Sequence, residues 1–558
     1  MVSARLAFAI VVALVAGSVA RAQQTTRVSV DGSGGEANGL SASSWTSADG
    51  QVFAFGSRAT NLVAGDTNAV SDIFVHDRAN GTTTRVSVDS AGAESNGLSD
   101  QPALSANGTV VAFTSYATNL VAGDTNGFSD VFVHDLTTGA TERANLDSSG
   151  SEANYNSYDG VLSSDGRFVA FTSNAWNLVA SDTNQWADTF VRDRATGITE
   201  RVSVDSAGAE ADGPSFTPSI SADGRYVAFQ SYATNLVAGD TNSVSDIFVH
   251  DRTTGVTERV SIDSAGVQAN NWNNSPAISA DGNVVAWVSK ATNLVAGDRN
   301  HHYDIFVHDR TTGITDRASV DSAGNEGDGD SGRNLSHAPA LSTDGRWVAF
   351  ESYATNLVPG DTNGVIDVFV HDRASGATER VSVDSSGGEG DSDSSFDSMA
   401  PDALSVSFTS RATNLVTGDT NATYDVFVHD PLRATWSNYG AGLAGTRGVP
   451  AITPDQDPVL GATITVSVDN SRGAPTSGLL FLGFQRAQIP THFGGDLLLV
   501  PVLILPITFA YGADAFPGTL PSDPAFAGFA VDLQVVQGDP GAPKGVSFTP
   551  GLELVLGF

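Results

Sequence analysis

From Pro218 to Asp263 the chain reads PSISADGRYVAFQSYATNLVAGDTNSVSDIFVHDRTTGVTERVSID. Four short strands are expected in it. Pro218 to Ser221 is strand A, and Ala222-Asp223-Gly224 is a turn. Arg225 to Ser231 is strand B, rich in β-branched and aromatic residues. A long loop with Asn235-Leu236-Val237 and Gly239-Asp240-Thr241-Asn242 leads to strand C, Asp246 to Asp251. Thr253-Thr254-Gly255 turns into strand D, Thr257 to Asp263. Gly, Asn and Asp sit where the chain must turn, and no segment shows a 3.6-residue apolar period.

This pattern recurs. Asn-Leu-Val begins at Asn61, Asn119, Asn177, Asn235, Asn293, Asn356 and Asn414, spaced by 58 residues except for one interval of 63. The longer interval implies an insertion within Asp328 to His337. Seven copies of a four-stranded antiparallel unit predict an all-β chain built as a seven-bladed β-propeller. The array begins with a strand D, Arg27 to Asp31, and ends with an A-B-C set at Asp425 to Asp430. Pairing that first strand with the seventh blade would close the ring and remove exposed edges. An open solenoid is the alternative.

Ser221-Ala222-Asp223-Gly224-Arg225-Tyr226-Val227-Ala228-Phe229 followed by Asp246-Ile247-Phe248-Val249-His250-Asp251 resembles the WD40-like (PD40) repeat of TolB-type propellers. The resemblance covers residues 25–431 and implies a periplasmic or extracellular propeller. Its family includes binding proteins and the propeller parts of some hydrolases and lyases. The loop between strands B and C is longer than in the usual repeat, and the α/β domain of TolB has no counterpart here, so a Tol envelope role is not carried over.

The 558 residues hold 28 Lys+Arg and 63 Asp+Glu, a formal charge of −35. Such a chain repels nucleic acid. It has no cysteine, which excludes disulfides and thiol chemistry, while 58 glycines and only two lysines suit a turn-rich β protein. Residues 1–22 read as a bacterial signal peptide: Arg5, the apolar run Leu6 to Ala16, then Ala20-Arg21-Ala22. The expected location is secreted or periplasmic, with no membrane span after signal removal, and the expected state is a monomer. Residues 23–431 form the propeller, 432–445 a Gly-rich linker and 446–558 a small C-terminal β-sandwich similar to modules of secreted bacterial repeat proteins. Strand-like runs at 461–468, 478–485, 496–511, 526–537 and 545–556 support the sandwich.

Each B–C loop carries Asp-x-Asn-x-x-x-Asp. The sets are Asp66, Asn68, Asp72; Asp124, Asn126, Asp130; Asp182, Asn184, Asp188; Asp240, Asn242, Asp246; Asp298, Asn300, Asp304; Asp361, Asn363, Asp367; and Asp419, Asn421, Asp425. The D–A loops add Asp31, Asp89, Asp147, Asp205, Asp263, Asp321 and Asp384. Five residues on stands a Glu, from Glu36 to Glu389, with Gln268 in the fifth case. Oxygen ligands at positions one, three and seven suit Ca²⁺, which takes six to eight oxygens. The Gly and Glu of an EF-hand loop are missing, and Asp and Asn also tie turns. Both readings, Ca²⁺ in some blades and purely structural Asp, stay open.

Six histidines share one strand-C position: His76, His134, His250, His308, His371 and His429, with Arg192 in the third unit. Packing and hydrogen bonding are expected for them. Arg27, Arg85, Arg143, Arg201, Arg259, Arg317 and Arg380 are expected to pair with nearby carboxylates. Gly440, Gly442 and Gly445 spell GxGxxG, but no βαβ context makes them a nucleotide site. No GxSxG, HExxH or P-loop occurs. The first reading is therefore a secreted non-catalytic scaffold that binds a protein or glycan at the cell surface. The second is a polysaccharide-active, lyase-like propeller enzyme with its site near the fifth and sixth B–C loops. Departures from symmetry there include His301, His302 and the insertion; Trp176, Trp186 and Trp272 are others. His301, His302 and His337 gathering at Asp298 would favour the enzyme.

Overall fold

The computed structural model describes residues 23–332, 338–431, 435–459, 462–509, 511, 513–520 and 528–556. The expected signal peptide and His337 lie outside them. The chain divides into two compact units, 24–430 and 431 onward.

The first unit consists of four-stranded antiparallel sheets in the described residues. The repeat quoted above forms one of them, in the order Ser215–Ile220, Tyr226–Ser231, Asp246–Asp251, Val256–Arg259. Strand C matches the expected span. Strand A begins earlier, because a bulge between Phe216 and Ser219 lets Ser215 pair with Ser231. Strand D stops at Arg259 rather than Asp263. Beyond it Val260 still donates its N–H to the Ile247 carbonyl, but Ile262 bridges to Gln268. The chain thus leaves the sheet to close its own loop, which Asp263 caps by accepting the N–H groups of Ala265 and Val267.

One sheet draws on both ends of the array. Ser394–Met399, Val406–Ser410 and Asp425–Asp430 pair in turn, and Gln24–Arg27 lies antiparallel beside Asp425–Asp430, with Thr26 opposite Val428. Strand A, the innermost strand of each sheet in that it lines a shared cavity, contacts strand A of the next. The strand starting at Ser41 likewise contacts the one starting at Ser394.

Strands B and C are near-continuous apolar runs, and since successive side chains point to opposite faces, both faces of each sheet are apolar and must be covered by a neighbouring sheet. Phe229 of strand B stacks on Phe248 of strand C at 5.9 Å between ring centroids, and both are fully buried. The pairing recurs as Phe55–Phe74, Phe113–Phe132, Phe171–Phe190, Trp287–Phe306, Phe350–Phe369 and Phe408–Phe427. Burying each such ring is worth about 1.5–3 kcal/mol. Cores form between sheets: Val131 and Val133 pack with Val169 and Phe171. Phe53 and Phe55, near the start of the array, share a core with Val426 and Val428 at its end.

In the second unit, Thr435–Tyr439, Gly551–Val555, Ala530–Gly538, Thr476–Pro490 and Asp496–Phe509 form one sheet in that order. Ile452–Pro454, Thr463–Val468 and Asp514–Thr519 form another. Ile464 and Val466 of the smaller sheet share a core with Leu480, Val531 and Leu552 of the larger. Thr435–Tyr439 falls within the segment expected as a linker. Its pairing with Gly551–Val555 makes it part of the larger sheet instead. No helix of the described residues is long and apolar enough to cross a membrane.

Candidate functional site

In each repeat the B–C loop, the start of strand C, the end of strand D and the D–A loop bring carboxylates around one arginine. In the second repeat Arg143 Nη1 lies 3.4 Å from Asp124, 3.0 Å from Asp130 and 3.0 Å from Glu152. Arg85 meets Asp66, Asp72 and Glu94; Arg201 meets Asp182, Asp188 and Glu210. Arg317 meets Asp298, Asp304 and Glu326; Arg380 meets Asp361, Asp367 and Glu389. Arg259 has Asp240 and Asp246, with Gln268 in place of the Glu. Arg27 completes the set with Glu36, Asp419 and Asp425. The arginines are thus paired with carboxylates, as the sequence leads one to expect.

The Asn of each loop motif has a fixed job. Asn68 Nδ2 donates to Asp72 Oδ2 at 2.8 Å and to the Ser95 carbonyl at 3.0 Å, while its Oδ1 accepts the Val70 N–H. Asn126, Asn184, Asn242, Asn300, Asn363 and Asn421 repeat the donation to the second Asp. The amide nitrogen, not the oxygen, therefore faces the carboxylate. The other oxygen of the second Asp accepts a hydroxyl in six repeats, as Asp72 Oδ1 does from Ser87 at 2.6 Å, and the Asn145 amide in the second.

The first Asp is different. Oδ1 of Asp66, Asp124, Asp182, Asp240, Asp298 and Asp361 is buried with no hydrogen-bond donor. Burial, and then the charge of the second Asp, push Asp124, Asp182, Asp298, Asp361 and Asp419 up to about 6 against the pull of the arginine. Burial raises Asp66 and Asp240 as well. Glu36 goes the other way. Burial works against it, but the Thr420 hydroxyl and N–H, the Asn421 N–H and Arg27 bring it to about 2. The Asp residues that open the D–A loops are turn caps: Asp31 Oδ1 accepts the N–H groups of Ser33 and Gly35, both at 2.8 Å.

Among the described residues, two groups place three carboxylate oxygens within 4.8 Å of one another: Glu36, Asp419, Asp425 and Asp66, Asp72, Glu94. These are the sets with the reach to share a cation. In both, the arginine guanidinium already stands among the oxygens.

The histidines tie sheets together. His250 Nδ1 lies 2.9 Å from Thr257 Oγ1, and that hydroxyl donates to the Val204 carbonyl of the preceding repeat. A hydroxyl has one proton, so the imidazole donates and Nδ1 carries hydrogen. His76, His134, His308, His371 and His429 have the same threonine partner. Burial holds His76, His134, His250, His308 and His371 below the ordinary histidine value. Arg192 reaches Thr199 Oγ1 at 3.0 Å and the Leu146 carbonyl at 3.1 Å in their place. In the fifth unit His302 Nδ1 pairs with Asp330 at 2.9 Å, a residue of the insertion segment, rather than with Asp298.

The innermost strands line a cavity of about 360 Å³. Ser43, Gln101, Asp159, Thr217 and Ser275 line it from equivalent positions, all with φ between 47° and 56°. These left-handed, non-glycine residues sit at the strand-A bulges. Gln101 Nε2 donates to Asp159 Oδ1 at 2.7 Å across neighbouring sheets. No single residue type marks these positions in the sequence, where Ser, Gln, Asp and Thr take turns.

No family model matches the sequence. No curated protein matches it either. Among solved structures, a putative TolB from Agrobacterium tumefaciens is 16% identical over 54% of this chain and 89% of its own, with a TM-score of 0.32. The WD40 repeats of RRP9 are 8% identical over 74% of this chain and 99% of theirs, at 0.36. The extracellular domain of the putative hybrid two component system BT4673 from B. thetaiotaomicron is 10% identical over 95% of this chain and 59% of its own, also at 0.36.

Proposed function

We propose that the chain is a secreted, seven-bladed β-propeller closed by its N-terminal strand and followed by a small β-sandwich, and that it is a non-catalytic scaffold binding a protein or glycan. The observation that carries this reading is the repetition of its charged groups. The acids of one unit have the same partners as those of the others, and catalysis needs unlike groups converging at one place. The cavity, with its ring of polar left-handed residues, is one surface for a partner. Incubation with neutral and uronate polysaccharides, followed by assay of reducing ends and unsaturated products, tests the reading. No turnover is expected; turnover abolished by His302→Ala would overturn it. That outcome would favour the lyase-like alternative, for which the His302–Asp330 pair is the supporting contact.

We further propose that Ca²⁺ stabilises the two sets Glu36, Asp419, Asp425 and Asp66, Asp72, Glu94, each of which carries net charge −2 after its arginine is counted. Metal content by mass spectrometry, with thermal unfolding in Ca²⁺ and in EDTA, tests it. Bound Ca²⁺ and a melting temperature lowered by EDTA are expected. Metal-free protein with the same melting temperature in both would return these residues to arginine pairing alone.

A further inference from the structure

The third repeat breaks the pattern in a coordinated way. In six units a threonine follows the alanine after strand B: Thr60, Thr118, Thr234, Thr292, Thr355 and Thr413. Its N–H, and in most cases its hydroxyl, bonds the Asn or Asp of the adjoining D–A loop. Thr60 does so with Asn38, Thr118 with Asn96, Thr234 with Asp212 and Thr413 with Asp391. The third unit has Trp176 instead. Its N–H still reaches Asn154 Oδ1 at 3.2 Å, but the Asn154 amide has lost its hydroxyl acceptor.

The next D–A position is Gly39, Gly97, Gly213 or Gly329 in four units. A Cβ at Gly97 would lie 2.7 Å from the Tyr116 carbonyl and the Ala117 nitrogen. The third unit alone places a large side chain there, Tyr155. Tyr155 stands between Phe128 and Trp176, with ring centroids 4.5 Å and 6.3 Å away. Tyr155 is 40% exposed and Trp176 55%. A hydrogen bond has been given up and a crowded position filled, yet the rings face water. Folding alone does not reward that exchange.

We propose that Phe128, Tyr155 and Trp176 form a ledge for a neutral polysaccharide chain. The C–H face of a pyranose is apolar and weakly positive, and stacks on the negative face of an aromatic ring. Phe128 packs against Tyr155 and backs it, the more exposed Tyr155 and Trp176 offer ring surface to a sugar, and the Asn154 amide offers a donor to a hydroxyl. Charge selects the class of ligand. Where other units carry Asp212, Asp328 or Asp391, the third has Asn154; where others carry Asp330 or Asp393, it has Asn156. Glu152, the nearest acid in sequence, is held by Arg143 and Thr125. The ledge is thus uncharged on a strongly anionic protein, which favours a neutral chain over a uronate polymer.

The proposal deepens the binding reading and rests on it for the absence of turnover. Native gels containing hydroxyethylcellulose, glucomannan or galactomannan, with polygalacturonate as the anionic control, test it on the full chain. Tyr155→Gly with Trp176→Thr restores residues that other units carry, so the fold should survive, checked by circular dichroism. Retardation of the wild type in at least one neutral gel, weakened at least tenfold in the double variant, is expected. No neutral retardation, retardation by polygalacturonate alone, or full retention in the double variant would overturn the ledge and leave protein binding untouched. Cleavage of a retained polysaccharide would overturn the non-catalytic reading and leave the ledge standing.

Discussion

Arg27 donates from Nη1 to Asp425 Oδ2 at 3.2 Å across 398 positions of chain. The same bond in the second repeat, Arg143 to Asp130, spans 13 positions. The first strand therefore supplies the last sheet with what every other sheet finds locally. Ser29, two residues beyond that strand, also donates to Asp425 Oδ1 at 2.7 Å, as Ser87 does to Asp72.

Removing an arginine leaves buried carboxylates with no counter-charge, which costs about 3–5 kcal/mol where a buried pair is broken. Arg143→Ala strands Asp124, Asp130 and Glu152, whereas Arg259→Ala strands only Asp240 and Asp246. Both variants should melt at lower temperature than the wild type. Arg143→Ala should show the larger drop, read by thermal unfolding under identical buffer.

Acid acts on this protein in opposite directions at different groups. The first Asp of five loops sits at about 6 in the folded chain, above its ordinary 3.8. Between those values the folded chain binds protons that the unfolded chain does not, so stability falls as pH rises through that window. Glu36 is held at about 2 against an ordinary 4.5. Its contribution is complete above 4.5 and is lost as pH falls toward 2. The buried histidines, held below their ordinary value, work against the Asp window, so the Asp share is read by difference: Asp124→Asn should weaken the acid stabilisation between about pH 4 and pH 6, read as melting temperature in EDTA. A pH profile of Asp124→Asn identical to that of the wild type would contradict the direction assigned to Asp124.

Much of this was legible because repetition multiplies each signal. Asp246 to Asp251 was placed to the residue, and pairing of Arg259 and its equivalents with acids followed from their register. The end of strand D is not legible, because Val260 to Asp263 has the composition of a strand and only the bridge from Ile262 to Gln268 takes it out of the sheet. The motif spacing also did not say which atom of Asn68 would face Asp72; that depends on the Val70 N–H occupying its oxygen. Tyr155 carried no warning in the sequence, since its neighbour across the loop, Trp176, is 21 positions away and the two rings meet only in the fold.

Glycine at the D–A position is a steric requirement in most units. Gly97→Ala places its Cβ 2.7 Å from backbone atoms of Tyr116 and Ala117, and Gly39→Ala lies 2.8 Å from the Arg58 carbonyl. Backbone cannot yield as a side-chain tip can, so each change should cost about 1–3 kcal/mol. Lowered denaturation midpoints in urea would bear this out; midpoints equal to the wild type would show that the loops shift freely.

Closure of the repeat ring by the N-terminal strand is the claim on which the rest depends. Thr26 stands opposite Val428 in the shared sheet, and the chain has no cysteine of its own. Antiparallel partners lie about 5.5 Å apart at their Cα atoms, within reach of a disulfide. Thr26→Cys with Val428→Cys, oxidised and digested, should give one intrachain cross-link by mass spectrometry. Free thiols, or links only between chains, would contradict the closed ring.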